Sequence, residues 1–299
     1  MPRFEPLPDR RPALVAGASS GIGAATATNL AARGFPVALA ARRVEKCQEI
    51  AGQIRADGGE AIAVQLDVTD PDSVKSCVEQ TTTELGDIEV LVAGAGDTFF
   101  GKIESISTEQ FESQVQIHLI GANRVTAAVL PGMLERQRGD LIFVGSDVAL
   151  RQRPHMGAYG AAKAALVAMV HNLQMELEGT GVRASIVHPG PTKTAMGWSV
   201  PAELLGPALE DWAKWGQARH GYFLRAADLA RAITFVAETP RGGFIANMEL
   251  QPEAPLAPKK ERQQHKVDLK VDEEGAFSAS KSDEPTGAAQ GTTAGREQN

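Results

Sequence analysis

Short apolar segments alternate with longer amphipathic ones along the first 190 residues of the chain. The short segments are residues 13–16, 37–41, 61–66, 88–92, 141–144 and 182–187. Runs that are apolar almost throughout are typical of parallel strands covered on both faces. Their alternation with helical patterns predicts an α/β fold: a Rossmann-like, doubly wound parallel sheet between two helical layers.

Glycine and proline mark where the predicted helices end and begin. A helix over residues 24–33 should end at Gly34, and one over residues 44–56 should end at Gly58. Asp70 followed by Pro71 is typical of an N-cap and a first helical turn. These signals place a helix after each of the first three predicted strands.

Composition divides the chain into three parts: an N-terminal arm over residues 1–10, one Rossmann-fold domain over residues 11–252, and a tail over residues 253–299. The tail is rich in Pro, Lys, Glu, Ser, Gly and Gln, which predicts disorder. The alternation of Val267, Leu269 and Val271 offers a short edge strand as the alternative, although three apolar side chains bury little area.

Charge and cysteine content limit the possible partners and settings. The 299 residues carry a formal net charge of −7, which argues against nucleic-acid and anionic-membrane partners. Cys47 and Cys77 both fall in predicted helices, and no histidine has ligand spacing, so neither a disulfide framework nor a metal site is expected. Without a signal peptide or an uninterrupted run of about 18 apolar residues, the expected location is the cytoplasm.

A glycine-rich turn follows the first predicted strand: Gly17-Ala18-Ser19-Ser20-Gly21-Ile22-Gly23. Glycines between a strand and a helix let the backbone approach a pyrophosphate, and the helix N-terminus offers free N–H groups to that anion. The turn therefore predicts dinucleotide binding. The alternative is that the glycines serve only close strand–helix packing.

The end of the second strand favours NADP over NAD. An acidic residue normally accepts the ribose 2′-OH of NAD there, but this strand ends in Ala41, Arg42 and Arg43. Guanidinium groups bind a 2′-phosphate through paired hydrogen bonds. The alternative is that both arginines simply begin a solvated helix.

Tyr159 and Lys163 are candidate residues for acid/base catalysis. Their spacing of four places both on one helical face, where an ammonium can stabilise a phenolate. Ser146 follows the predicted strand 141–144 and could hold a substrate oxygen beside Tyr159, or it could simply form a turn.

In this order and spacing, these motifs resemble the short-chain dehydrogenase/reductase family over roughly residues 10–252. The resemblance implies that Tyr159 exchanges a proton with a carbonyl or alcohol, that Ser146 orients that oxygen, and that Lys163 binds the nicotinamide ribose and lowers the pKa of Tyr159. It also implies an adenine contact at Asp67-Val68 and a nicotinamide-side loop at Pro189-Gly190-x3-Thr194. The cofactor residues expected on all these grounds are Gly17, Ser19, Ser20, Gly21, Ile22, Gly23, Arg42, Arg43, Asp67, Val68, Tyr159, Lys163, Pro189, Gly190, Thr192 and Thr194.

Two positions depart from the family pattern. The family usually has Asn-Asn-Ala-Gly after the fourth strand, whereas this chain has Ala93-Gly94-Ala95-Gly96. The asparagine of the family's fourth catalytic position appears as His118. Its imidazole can relay a proton or hold water, or it can merely fill the helix site.

The expected function is hydride transfer between NADP(H) and a ketone or secondary alcohol. A nucleotide-binding sensor or scaffold without useful turnover is the rival interpretation, motivated by His118 and the missing asparagines; sugar-nucleotide epimerisation fits the glycine spacing less well. Residues 194–224 should form a substrate lid, and their apolar side chains favour a bulky apolar substrate: Met196, Trp198, Leu204, Leu205, Trp212, Trp215, Tyr222 and Phe223. Phe99 and Phe100 should lie at the same crevice. By resemblance, the long helices near 108–136 and 157–178 should pair subunits into a homotetramer or homodimer.

Overall fold

The fold comes from a computed structural model, which describes residues 4, 6–194, 196, 200–256, 267–271 and 277–281. It divides the chain into two units, Met1–Ala254 and Pro255–Asn299. The larger unit holds every residue of the candidate site.

Seven parallel strands form the central sheet of the larger unit, in the order β3-β2-β1-β4-β5-β6-β9. They are β1 (Ala13–Ala16), β2 (Val37–Ala41), β3 (Ala61–Gln65), β4 (Val90–Ala93), β5 (Gly139–Val144), β6 (Val182–Pro189) and β9 (Asn247–Leu250). The two short strands β7 (Thr192–Lys193) and β8 (Leu224–Arg225) pair with each other. The order reverses between β1 and β4, so the carboxyl ends of these two strands open the crevice where such sheets bind ligands.

Helices cover both faces of this sheet. The helices of the larger unit are α1 (Gly21–Ala32), α2 (Val44–Ala56), α3 (Pro71–Leu85), α4 (Thr108–Val115), α5 (Ala122–Glu135), α6 (Gly157–Glu176), α7 (Ala202–Lys214) and α8 (Ala226–Glu238), of which α7 borders the crevice. Leu30 of α1 and Ile233 of α8 belong to the core on one face, whereas Val129 of α5 and Leu166 of α6 belong to the core on the other. The prediction of a doubly wound α/β sheet is confirmed.

Two details of the sheet differ from the sequence prediction. Strand β9 was not predicted, because its four residues Asn-Met-Glu-Leu lie half-exposed at the sheet edge and form no apolar run. Helix α1 begins at Gly21 rather than at residue 24, which brings the glycines themselves into its first turn. Asp70 caps α3 as predicted, since its side chain accepts a hydrogen bond from the N–H of Asp72.

Helices α4 and α5 are joined by a π-helical turn, Gln116–Gly121, into one continuous helix over Thr108–Glu135. By length and composition this is the one helix among the described residues that could cross a membrane, with a mean hydropathy of 1.2 over its most apolar window. Core helices of soluble proteins meet the same criterion, and Val125, Val129 and Met133 are packed into the protein core. Its functional interest is the π-helical turn, which carries His118.

The second unit contains an antiparallel pair of strands, β10 (Val267–Val271) and β11 (Phe277–Lys281), with Leu269 opposite Ala279. Disorder was predicted throughout this tail, and for these ten residues the structure differs. The period-two alternation of Val267, Leu269 and Val271 forms a strand after all, but its partner is β11, a segment in which no strand was expected.

Candidate active site

A cavity of about 430 Å³ opens at the carboxyl ends of the central strands. It brings together most of the residues singled out from the sequence: Gly17, Ser20, Gly21, Ile22, Gly23, His118, Ser146, Tyr159, Lys163, Pro189, Gly190, Thr192 and Thr194. Ser19, Arg42, Arg43, Asp67 and Val68 are not part of its lining. The predicted catalytic residues and most of the predicted cofactor residues therefore share one crevice.

The glycine turn packs closely against its neighbours and also lines the cavity. A Cβ on Gly23 would lie 2.3 Å from the carbonyl oxygen of Gly17, and one on Gly17 would lie 2.7 Å from that of Gly94, so both glycines are needed for close packing. Gly21 has a φ of 58°, and a Cβ there would meet only the Thr194 side chain, at 3.4 Å. The N-terminus of α1 thus lines the cavity, and its glycines carry no side chain that would keep a pyrophosphate from the backbone.

Arg43 lies over this turn. Its guanidinium donates hydrogen bonds of 3.0 Å to the hydroxyl groups of both Ser19 and Ser20. Arg42 is also exposed, and its charge helps to lower the pKa of Asp67. One guanidinium and two hydroxyls therefore meet beyond the end of β2, where the ribose of a bound dinucleotide is expected, and a second exposed arginine lies next in the chain.

Asp67 and Val68 lie on the loop that follows β3. The Asp67 carboxylate accepts hydrogen bonds from the N–H and the hydroxyl of Thr69, at 2.9 and 2.7 Å, which lower the pKa of Asp67. Val68 is buried against Gly121, where an added Cβ would come within 2.6 Å of its Cγ2. This loop is held by hydrogen bonds within it and by packing against the π-helical turn, and its Asp67 and Val68 do not line the cavity.

Ser146, Tyr159 and Lys163 meet at the inner end of the cavity. Ser146 follows β5, and its hydroxyl accepts a hydrogen bond from the N–H of Val148 at 3.2 Å while it also bonds to the Tyr159 side chain. Lys163 lies one turn after Tyr159 on α6, with its Nζ 5.8 Å from the centre of the tyrosine ring. The arrangement puts a buried phenol, a hydroxyl and an amine at one point in the crevice.

Electrostatics at this point differ from the expectation that Lys163 lowers the pKa of Tyr159. Burial raises the pKa of Tyr159 to about 12, opposed by the hydrogen bond from Ser146. Burial also lowers the pKa of Lys163 to about 7, and its Nζ donates to the carbonyl of Val144 at 2.7 Å. The phenol is therefore protonated at neutral pH, which is the form that donates a proton to a carbonyl oxygen.

His118 is buried beside Tyr159 at the π-helical turn. Its ring meets that of Tyr159 edge to face, with centroids 5.1 Å apart. Nε2 lies 2.7 Å from the carbonyl oxygen of Asp97, which requires a proton on Nε2 and leaves Nδ1 as the acceptor. Burial lowers the pKa of His118 well below its ordinary value, so the ring is neutral. A Cβ on Gly96 would lie only 2.4 Å from this ring, so the imidazole occupies the space beside that glycine.

These geometries agree with the comparison of the chain against known families. The family model described as short chain dehydrogenase matches residues 11–204. The chain belongs to the short-chain dehydrogenase family. That family consists of oxidoreductases that bind a nicotinamide cofactor, and this chain has their fold.

Relatives within the short-chain dehydrogenase family have varied names. The chain is 33% identical over 241 residues to glycine betaine reductase of Emericella nidulans, a match that covers 80% of this chain but only 18% of that protein. It is 33% identical to 3-oxoacyl-[acyl-carrier-protein] reductase of a Synechocystis strain, covering 78% of this chain and 91% of that protein. Among solved structures it is similar to an alcohol dehydrogenase from the archaeon Thermococcus sibiricus complexed with 5-hydroxy-NADP. That match has a TM-score of 0.70 and 29% identity, and it covers 82% of this chain and all of that one.

The outer part of the crevice contains several of the predicted lid residues of this short-chain dehydrogenase. Trp212 lines the cavity and packs against Phe100, with the ring centroids 5.8 Å apart and the ring planes tilted by 40°. Its indole N–H donates to the carbonyl of Pro154 at 2.8 Å. Met196, Leu205 and Phe223 also line the cavity, and so does Leu209, which the sequence analysis did not name.

Other predicted lid residues lie elsewhere. Trp215 is 64% exposed and Tyr222 is 47% exposed, and neither lines the cavity; Leu204 and Phe99 are also outside its lining. Trp198 lies outside the described residues. The Trp212 indole thus lines the cavity and at the same time fixes its helix to the loop at Pro154.

Two charged residues in the crevice were missed by sequence reasoning. Asp147 and Arg153 both line the cavity and form an ion pair of 2.5 Å. The available signal was their position between Ser146 and Tyr159, on the loop that leaves the carboxyl end of β5. Charged residues on surface loops are common, so that position alone did not distinguish them.

Proposed function

We propose that this protein is an NADP-dependent reductase of bulky, largely apolar ketones. The observation that carries the proposal is the buried, protonated Tyr159, bonded to Ser146 in the same cavity as the glycine turn. A bound nicotinamide cofactor would supply the hydride. Ser146 would hold the carbonyl oxygen, and Tyr159 would give that oxygen its proton from the phenol.

The cofactor preference rests on Arg43. A guanidinium held by two serine hydroxyls at the end of β2 supports binding of a 2′-phosphate, because it offers charged N–H donors where NAD-binding sites usually place an acceptor. Ala41 at the expected acceptor position supplies no carboxylate. The Thermococcus protein, which was solved with an NADP analogue, is consistent with this proposal.

The substrate preference rests on the walls of the outer cavity. Phe100, Met156, Leu205, Leu209 and Trp212 surround the space beyond Tyr159. Concave apolar surfaces of this kind favour ligands that bury apolar area. A ketone with a large hydrocarbon part would fill this space better than a small hydrophilic one.

A catalytically silent nucleotide sensor is the second candidate. It is favoured by His118 in place of the family asparagine and by Ala93-Gly94-Ala95-Gly96 in place of the usual asparagines. A panel of carbonyls and alcohols, assayed with NADPH and NADH by nicotinamide absorbance, separates the two functions. The reductase should oxidise NADPH with at least one bulky ketone. A shift in melting temperature with NADPH but no turnover anywhere in the panel would favour the sensor.

We also propose self-association through α5 and α6. Several apolar side chains on these helices are exposed in the single chain: Leu134, Ala161, Ala168 and Met175. Small side chains on α6 would permit close helix packing. Light scattering at micromolar concentration should give the mass of a dimer or tetramer, and a monomer would contradict this proposal.

A further inference from the structure

Arg153 places a cation in the largely apolar outer part of the crevice. Its side chain is only 9% exposed, and it lines the cavity together with Met156 and Trp212. The guanidinium carbon lies 5.4 Å from the centre of the Trp212 ring. Stacking on an aromatic face holds a guanidinium in place, but its N–H groups still need acceptors in its own plane.

The protein supplies Arg153 with an acceptor on one side only. One terminal nitrogen donates to Asp147 Oδ2, and the Asp147 carboxylate also accepts from Gln251 Nε2 at 3.2 Å. The Nε–H of Arg153 is buried out of reach of the cavity. The other terminal nitrogen, Nη1, makes no hydrogen bond to any residue that the structure describes and is not among the buried atoms without a partner. A guanidinium donor without a protein acceptor, on a side chain that lines the cavity, is available to a ligand bound there.

We propose that Arg153 is a specificity-determining residue whose terminal nitrogen Nη1 binds a second oxygen of the substrate, apart from the carbonyl that is reduced. This proposal rests on the function proposed above. It makes the substrate a bifunctional compound: a ketone on a largely apolar skeleton that also carries a carbonyl, ester or hydroxyl oxygen.

The second oxygen should be uncharged. Asp147 already compensates the charge of Arg153, and its own side chain is 3% exposed. A substrate carboxylate would bring a second negative charge close to that of Asp147, with one guanidinium between them, which is costly in a buried site. A neutral acceptor binds Nη1 without disturbing the ion pair.

The pair also lies close to the reacting phenol. Asp147 raises the pKa of Tyr159 and Arg153 lowers it, so both charges act on that hydroxyl. One substrate of modest size can therefore contact Tyr159 and Arg153 together.

Matched ketones test the proposal. Ethyl 3-oxobutanoate and 2-heptanone have the same chain length and differ in the ester group, as do ethyl 4-oxopentanoate and 2-octanone. For each pair, kcat/KM is measured with NADPH in the parent protein and in Arg153→Lys and Arg153→Met. The ratio of kcat/KM between the ester and the alkyl ketone of a pair is unaffected by a general loss of activity. Comparing this ratio between variants removes the intrinsic reactivity of the esters.

Arg153→Lys is the more informative variant, because it keeps a positive charge beside Asp147 but lacks the second terminal nitrogen of the guanidinium. The ester-to-alkyl ratio should fall about tenfold or more in both variants for at least one pair, with NADPH binding and melting temperature unchanged in Arg153→Lys. If both ketones of each pair lose the same factor, Arg153 only holds Asp147 and the proposal is overturned. If the parent protein reduces no ketone at all, the proposed function is wrong and this inference fails with it. That result differs from an equal loss within each pair, which contradicts this inference alone.

Discussion

The Lys163 ammonium donates its hydrogen bond to the main-chain carbonyl of Val144, at 2.7 Å, rather than to the Tyr159 hydroxyl. Val144 ends β5, directly before the turn that carries Ser146. Lys163 therefore ties α6 to the end of the central strand. It does so at an energetic cost, since burial lowers its pKa from 10.5 to about 7.

Replacing this amine with an apolar side chain should stabilise the folded protein. Between pH 7 and pH 10.5 the unfolded chain binds more protons at Lys163 than the folded protein does, so this residue makes folding less favourable as the pH falls through that range. At pH 7, Lys163→Met should raise the free energy of unfolding by on the order of 2 kcal/mol, a figure that already allows for the lost hydrogen bond to Val144. The melting temperature should rise by several degrees. The gain should shrink towards pH 10, and turnover should be lost.

Lys75→Met is the matched control, because the Lys75 side chain is 75% exposed and pairs only loosely with Glu79. Its melting temperature should remain close to that of the parent at every pH. A Lys163→Met protein that is less stable than the parent at pH 7 would mean that the hydrogen bond to Val144 outweighs the burial of the amine.

Tyr159→Phe should separate proton donation from cofactor binding. The phenylalanine ring keeps the packing against His118 but has no proton to give, so kcat should fall by about a hundredfold or more. The shift in melting temperature caused by NADPH should persist. Tyr222 is the chain's other tyrosine and lies outside the cavity, so Tyr222→Phe should behave as the parent. Full turnover by Tyr159→Phe would remove the assigned proton donor.

Removing Arg43 should weaken the preference for NADPH. Arg43→Ala deletes the guanidinium that is held by Ser19 and Ser20, and we expect about a tenfold or greater loss of NADPH affinity with little change for NADH. Arg42→Ala is the internal comparison and should have the smaller effect, because Arg42 makes no contact with these serines. Isothermal titration with both nucleotides measures the difference. Equal affinities of the parent for NADPH and NADH would contradict the assigned specificity.

His118 was left with two interpretations, and the structure makes them testable. Its Nδ1 is an acceptor, and the ring shares with Lys163 a small second cavity of about 10 Å³, about the space needed by one water molecule. If the ring takes part in a proton relay, His118→Leu should lower kcat about tenfold or more, and His118→Asn, which offers an amide oxygen, should recover part of it. Equal losses in both variants would mean that the imidazole only fills the helix site.

The catalytic end of the site was more predictable than the fold's periphery. Ser146, Tyr159 and Lys163 could be placed because strand ends and a four-residue helical spacing are fixed by backbone geometry. Strand β9 could not be found, because an edge strand is held by its neighbour β6 and needs no apolar run of its own.

The electrostatic properties of the site could not be predicted from the sequence, for a different reason. The raised pKa of Tyr159 depends on how completely the phenol is buried, and the Asp147–Arg153 pair depends on a loop that folds back into the crevice. Both arise from tertiary packing, which local patterns do not encode.

The preference for a substrate with a large apolar part can be measured directly. Trp212 lines the outer cavity against Phe100, so each methylene that a ketone adds in this direction should be removed from water. Across a series of 2-alkanones, kcat/KM should first rise by roughly 0.8 kcal/mol per methylene, about fourfold. Trp212→Ala should flatten that rise because it removes the wall, whereas Trp212→Phe should keep most of the slope while losing the hydrogen bond to Pro154. Trp215→Ala is the control, since Trp215 is 64% exposed and outside the cavity, and its slope should match that of the parent. A parent protein that prefers small, polar carbonyls would show that the aromatic residues only anchor the lid.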